Sequence, residues 1–197
     1  MTEKIYLVMN KPCTYVCSAV SDSHKTVYDL LSPDLQKLVQ GAKRGQRLHT
    51  IGRLDSNTSG LLLFTTDGMF SHNVAANVSI TKSYRAKLVK SVSLDQQTEY
   101  IEKAASGLTL PPEKKYGEQQ AKPAVLHFIK DDLCEITVQE GKFHEVRRIF
   151  LALENEVAEL ERISIGGFQL PSELAPGQYR KLSQEELVSI LHPLQEH

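Results

Sequence analysis

One stretch constrains the fold more than any other, the run GRLDSNTSGLLLFTTDG at residues 52–68. Residues 60–65 are apolar without alternation, closed by small and polar residues on one side and by Asp67-Gly68 on the other. Such a run suits a strand buried on both faces of a sheet, not a half-exposed hairpin strand. A strand of that kind needs cover on two sides. The 197 residues suffice, with room for one domain of ordinary size or two small ones.

The remaining elements fall around it. Residues 5–10 form an apolar run that ends at Lys11-Pro12, a strand entering a turn. Residues 30–40 suggest a short helix opened by Ser32-Pro33, an N-cap followed by proline at the first helical position. Residues 67–77 read as a second short helix. In 82–90, Tyr84, Ala86 and Leu88 share one face and Arg85 and Lys87 the other, the period of a strand. Ser93 and Gln96 form a capping box for a helix that stops at Gly107. Residues 122–130 and 133–140 pair as strands around a turn at 130–132. Residues 141–153 then turn helical, with Phe143, Val146, Ile149, Phe150 and Leu153 as the apolar stripe. A strand over 157–165 and a helix capped by Ser183 and Glu186 close the chain. Pro111-Pro112 and the polar stretch 113–120 read as a surface loop within one domain. The fold class is α+β.

Charge narrows the partners. The formal net charge of −1 hides an asymmetry: residues 151–197 hold eight acids against three bases, which leaves residues 1–150 with 20 bases and 16 acids. Lys37, Lys43, Arg44, Arg47 and Arg53 occur with no acid among them, and Lys82, Arg85, Lys87 and Lys90 repeat the pattern. Such runs are either solvated surface or a basic face for a polyanion. No apolar run approaches the roughly 18 to 20 residues that span a bilayer, and the N-terminal stretch is too short for a secretory h-region. A cytoplasmic location is expected. Cys13, Cys17 and Cys134 lack the spacing and companions of a zinc site and read as half-buried thiols.

Two segments carry chemistry. In the loop before the buried strand, Asp55 sits among Gly, Ser, Asn and Thr. Asp55-x-Asn57-x-Ser59-Gly60 matches the opening of an EF-hand, but the twelfth position is Thr66 instead of a bidentate Glu, and no helices flank it. An Asx-type turn without chemistry and a catalytic carboxylate both remain open on the local residues. The second segment is EGKFHEVRR at 140–148, where Lys142, His144, Arg147 and Arg148 lie near a helix start. Arginines there suit phosphate or a carboxylate, or a solvated face with a Glu145–Arg148 pair. Tyr84 is either a core tyrosine or an aromatic ring set among cations, as in base stacking.

Taken in order, NKP (10–12), GRLDSNTSGLLLFTTDG (52–68), KSYRAKL (82–88), KPAVL (122–126), EGKFHEVRRIF (140–150) and IGGFQLPSELAPGQYRKLSQEEL (165–187) resemble the ribosomal RNA pseudouridine synthases of the RsuA type. The resemblance implies the pseudouridine synthase fold: one catalytic domain over 1–197, a long mixed, bent sheet flanked by helices, with two subdomains about a central RNA-binding cleft. It implies that Asp55 is the catalytic aspartate, that Tyr84 stacks on the base and helps remove the C5 proton, and that Arg147 pairs with the aspartate and keeps it ionised. It also implies that Arg53 wedges near the flipped uridine and that the basic runs contact RNA through Lys43, Arg44, Arg47, Lys82, Arg85, Lys142, His144 and Arg148. Leu61 and Leu62 are lesser candidates for lining the pocket.

The isomerisation is redox-neutral and hydrolyses nothing, so no cofactor or metal is expected. Enzymes of this type often carry a small N-terminal S4-like RNA-binding domain; this chain is expected to lack it, either as a natural short form or because that domain was removed. Phe143-His144 and the 166–180 tail favour 16S over 23S ribosomal RNA. A monomer is expected. The rival reading is a catalytically silent RNA-binding or ribosome-assembly factor that keeps the fold.

Overall fold

The computed structural model describes residues 3–21, 23–43 and 45–192. They divide into two compact units, one of residues 1–80 with 162–197 and one of residues 81–161. The boundaries fall at neither proline pair nor polar loop. The stretch 111–120 lies inside the second unit, as a loop should.

In the first unit, β1 (Tyr6–Lys11) lies antiparallel to β3 (Thr58–Thr65), with Lys11 opposite Gly60, after a 3-10 turn (Val27–Leu30), α1 (Pro33–Gln40) and β2 (His49–Ile51) have intervened in sequence. β2 also borders β3, pairing Ile51 with Leu63. β3 is buried along its length: Leu61 and Leu63 join Val8, Ile51 and Val74 on one face, and Phe64 meets Tyr28 edge-on on the other. This is the two-sided burial that the unalternating run demands. α2 (Gly68–Ala76) starts where Asp67 accepts from the amides of Met69 and Phe70.

The second unit is built on β4 (Lys82–Leu88), α3 (Leu94–Ser106), the two-residue strands β5 (Thr109–Leu110) and β6 (Gln119–Gln120), β7 (Val125–Phe128), β8 (Leu133–Val138) and α4 (Glu145–Ala152). β8 pairs antiparallel with both β4 and β7. Ala86, Leu88, Ala104, Leu126, Cys134, Ile136, Val146, Ile149 and Phe150 form its core. α3 carries its capping box and stops at Gly107 in the left-handed region, where a side chain would press on the Ala121 carbonyl.

β9 (Val157–Ile165) begins in the second unit and ends in the first. There β10 (Phe168–Gln169) folds back on it, β11 (Tyr179–Lys181) adds to β1, and α5 (Gln184–Leu191) follows, capped by Ser183 and Glu186. Gly166 turns the β9–β10 corner at φ +55°, and a Cβ there would collide with the Ile190 carbonyl of α5.

Three expectations need correction. The helix expected over 141–153 begins only at Glu145, because His144 adopts a left-handed conformation at φ +48°. The thiols are not alike: Cys17 and Cys134 are buried, while Cys13 is exposed. Leu61 and Leu62 are 0% exposed and belong to the core, not to a pocket wall.

Candidate active site

In the first unit, Asp55 begins the turn that leads into β3, with the Thr58 amide donating to the Asp55 carbonyl at 3.1 Å. Gly52 precedes it at φ +68°. Leu54 is buried and roots the loop, whereas Arg53 is exposed at its tip. What holds the loop comes from the end of β1 and the residues just after it, 37 to 47 residues earlier. Lys11 is 0% exposed, and its ammonium donates to the carbonyls of Asp55 at 2.9 Å, Thr58 at 2.8 Å and Pro12 at 3.2 Å. The Thr14 amide donates to the Ser56 carbonyl at 2.6 Å, with Thr14 itself strained at φ +74°. The Cys17 thiol lies 3.4 Å from both the carbonyl and the amide of Leu54.

The segment 11–17 thus grips four of the five residues 54–58, which fixes the backbone that carries Asp55. The local geometry removes the calcium reading. Residues 58–65 of the would-be ion loop are a β-strand, and the Leu61 carbonyl, the seventh-position ligand of such a loop, already accepts from the Arg162 guanidinium.

The electrostatics follow from burial. Burial pushes the Lys11 ammonium below its ordinary pKa; Cys17, Cys13 and Asp55 oppose that shift, and Arg162 adds to it. Burial likewise raises the Cys17 thiol, while its bond to Leu54 and the cations Lys11, Arg162 and Arg53 pull back. Arg162, 4% exposed, donates from Nε to the Leu61 carbonyl at 2.8 Å. Sequence reasoning missed Lys11, Cys17 and Arg162 as members of this site. The available signals were a lysine ending an apolar strand and an arginine at an inward position of an alternating one.

In the second unit, Tyr84 lies on β4 opposite Ile136, half-buried against the core. Arg147, in the first turn of α4, is half-buried and donates from Nη1 to the Val157 carbonyl at 2.8 Å. Arg148, expected as an RNA contact, is instead 1% exposed. Its guanidinium donates to the carbonyls of Pro111 (2.9 Å), Gly117 (2.9 Å) and Phe143 (3.3 Å) and to the Gln119 side chain (2.7 Å), so it anchors the 111–120 loop from beneath. The alternative Glu145–Arg148 pairing is not what orders this turn either. Glu145 is buried beside Glu140 and accepts from the Lys142 amide.

Burial, and then the hydrogen bond and charge of Glu140, raise Glu145 to about 7. Burial works the same way on Glu140, but Lys142, the Lys122 amide and Glu145 outweigh it and hold Glu140 below the usual carboxylate range.

The other expected RNA contacts differ in how much charge they leave unmatched. Arg85 lies 2.9 Å from Glu135 and 3.8 Å from Glu161, and Lys87 lies 3.9 Å from Glu159, so acids on β8 and β9 offset the basic face of β4. Lys142 pairs with Glu140, and His144 Nδ1 meets Glu113 at 2.7 Å. Lys82 is half-buried on β4, and Lys43 and Arg47 are exposed in the first unit. Arg44 lies outside the described residues.

An acid-bearing loop clamped by its backbone at the head of a buried strand, on an α+β scaffold without a long apolar helix among the described residues, has the build of loops on which enzymes carry their reactive groups. Comparison with known proteins makes the assignment specific. Residues 5–152 match the family model described as RNA pseudouridylate synthase. The chain is 37% identical over 187 residues to the ribosomal small subunit pseudouridine synthase A of Escherichia coli (strain K12), covering 94% of this chain and 74% of that protein. The protein of the same name from Yersinia pestis is 37% identical over 189 residues, covering 95% and 73%. A solved structure described as the crystal structure of pseudouridylate synthase superimposes with a TM-score of 0.82 at 34% identity, covering 96% of this chain and 75% of that one. The archaeal box H/ACA sRNP Nop10-Cbf5 complex, at 17% identity and a TM-score of 0.56, shares the fold alone. The chain belongs to the RNA pseudouridylate synthase family.

Proposed function

We propose that this protein isomerises a specific uridine of ribosomal RNA to pseudouridine, with 16S RNA as substrate. The observation that carries the reading is the Asp55 loop, in which a buried lysine, a strained amide and a thiol fix the carboxylate's backbone before any substrate arrives. Such preorganisation serves a group that must attack without searching for its geometry. The names of the relatives, ribosomal small subunit pseudouridine synthase A, favour 16S RNA.

In this reading Asp55 attacks the target nucleoside and assists cleavage of the C1′–N1 bond. The freed uracil turns, C5 bonds to C1′ as Asp55 is released as its carboxylate, and the proton displaced from C5 is lost while N1 gains one, so atoms balance without redox change. Tyr84 and Arg147 take the roles of the family's stacking tyrosine and basic partner. The uridine leaves its stack to be reached, with Arg53, exposed at the tip of the Asp55 loop, as the wedge. Lys43, Arg47, Lys82 and Lys142 contribute to RNA contact, and binding weakens steeply with salt.

Carbodiimide mapping of pseudouridine in 16S and 23S transcripts and in subunit particles tests this. A single new stop in 16S RNA is expected. A stop only in 23S RNA refutes the substrate, and RNA binding without any stop refutes the enzyme in favour of a silent binder.

A further inference from the structure

The loop between β5 and β6 is more than a connection. Glu113 and Tyr116 exchange both backbone hydrogen bonds, at 2.8 and 2.9 Å, so residues 113–116 close as a two-residue hairpin whose tip is Lys114-Lys115. Tips of this kind favour Asn and Gly, because the backbone must enter the left-handed region. Here Lys114 enters it, at φ +52°. His144, which meets Glu113, enters it too, at φ +48°. Two of the four described non-glycine residues with positive φ therefore sit in one patch. Strain held by Lys114, whose side chain has no preference for that region, points to function.

The patch has the chemistry of a nucleic-acid contact. Tyr116 and Phe143 stack at 4.6 Å and 20°, and Phe143 and His144 at 3.9 Å and 16°, giving three near-parallel rings, each half-buried. The ammonium of Lys114 lies 5.4 Å from the Phe143 ring and that of Lys115 5.5 Å from the Tyr116 ring, and both lysines are exposed. The Arg148 guanidinium fixes the loop's base through the carbonyls of residues 111 and 117. The hairpin is thus rigid below and cationic and aromatic above.

We propose that this hairpin is a binding site for single-stranded RNA. Lys114 and Lys115 take backbone phosphates, and the Tyr116–Phe143–His144 column meets a base. The inference rests on the family's RNA chemistry, but it concerns residues in neither the Asp55 loop nor the β4 face. The rings favour RNA over an acidic protein segment, which would use the lysines and ignore the aromatic surface.

The test is fluorescence-anisotropy titration of a single-stranded RNA oligonucleotide at several salt concentrations. It compares the wild type with Lys114→Gln/Lys115→Gln, Tyr116→Leu and Tyr116→Phe, each checked for an unchanged melting temperature. The double variant is expected to bind roughly tenfold more weakly. Its slope of log affinity against log salt should fall by about 1.4, at about 0.7 for each phosphate left without its lysine. Tyr116→Leu should weaken binding by roughly fivefold or more, and Tyr116→Phe should restore it. Unchanged affinity and slope in the double variant would overturn the proposal. So would polyglutamate competing as well as RNA with no effect of Tyr116→Leu, the signature of an acidic partner.

Pseudouridine formation scored on the same samples separates this inference from the function above. Lysine-dependent RNA binding in a protein that forms no pseudouridine sinks only the enzyme reading. Normal isomerisation with unaltered RNA binding sinks only the hairpin.

Discussion

Arg148→Met is the most informative single change in the second unit. In the wild type the guanidinium is buried and makes three good hydrogen bonds of 2.7 to 2.9 Å and one longer one of 3.3 Å. Each good bond from a charged donor contributes about 1.5–3 kcal/mol, and burying the cation takes back several kcal/mol. The variant removes the charge but orphans the carbonyls of residues 111 and 117 and the Gln119 amide oxygen. A net loss of about 3–5 kcal/mol is expected, the usual scale for breaking a buried charged network. At about 2–4 °C for each kcal/mol in a chain of this size, melting falls by roughly 10 °C. Arg148→Lys should recover less than half, because one ammonium cannot span acceptors on both sides of the loop. Scanning calorimetry measures the shift, and the anisotropy titration tracks the loosened hairpin. A melting temperature within about 2 °C of wild type, with an RNA salt slope reduced by about 0.7, would refute the reasoning and return Arg148 to the surface role that the sequence suggested.

Three further outcomes follow from the geometry. Glu145, raised to about 7, contributes stability that is complete below the unfolded carboxyl range and is lost as pH rises toward 7. Glu145→Gln should flatten urea midpoints between about pH 5 and 8 and exceed wild type at the upper end by on the order of 1–3 kcal/mol; parallel pH profiles would contradict this. Gly166→Ala, at a left-handed corner against the Ile190 carbonyl, should lower stability by more than about 3 kcal/mol, and a melting temperature near wild type would show that α5 yields easily. Lys11→Met frees three carbonyls around Asp55 and should lower kcat by at least roughly tenfold, about 1.4 kcal/mol of lost preorganisation. Wild-type kcat in a folded Lys11→Met protein would remove Lys11 from the positioning role.

Much of the fold was legible because it is local. The buried run of β3, the boxes at Ser93 and Ser183 and the β7–β8 turn all announce themselves within a few residues. What was not legible depends on side chains that meet across the sequence. Arg148 reads as surface charge until the 111–120 loop closes over it. The basic face of β4 looks bare until Glu135, Glu159 and Glu161 arrive from β8 and β9. The helix start was misplaced because Gly141 is the obvious opener, whereas the chain turns left-handed at His144 instead. Asp55 was visible as a candidate, but the clamp that makes it one comes from Lys11, Thr14 and Cys17, at the far end of β1.

Tritium release from 16S RNA labelled at uridine C5 tests the central claim most directly, with wild type and Asp55→Asn compared at equal RNA occupancy. Wild type is expected to release tritium stoichiometrically and Asp55→Asn none, with the variant's RNA affinity within about twofold, since the substitution removes one charge from a loop held by its backbone. Release that persists in Asp55→Asn would contradict that claim.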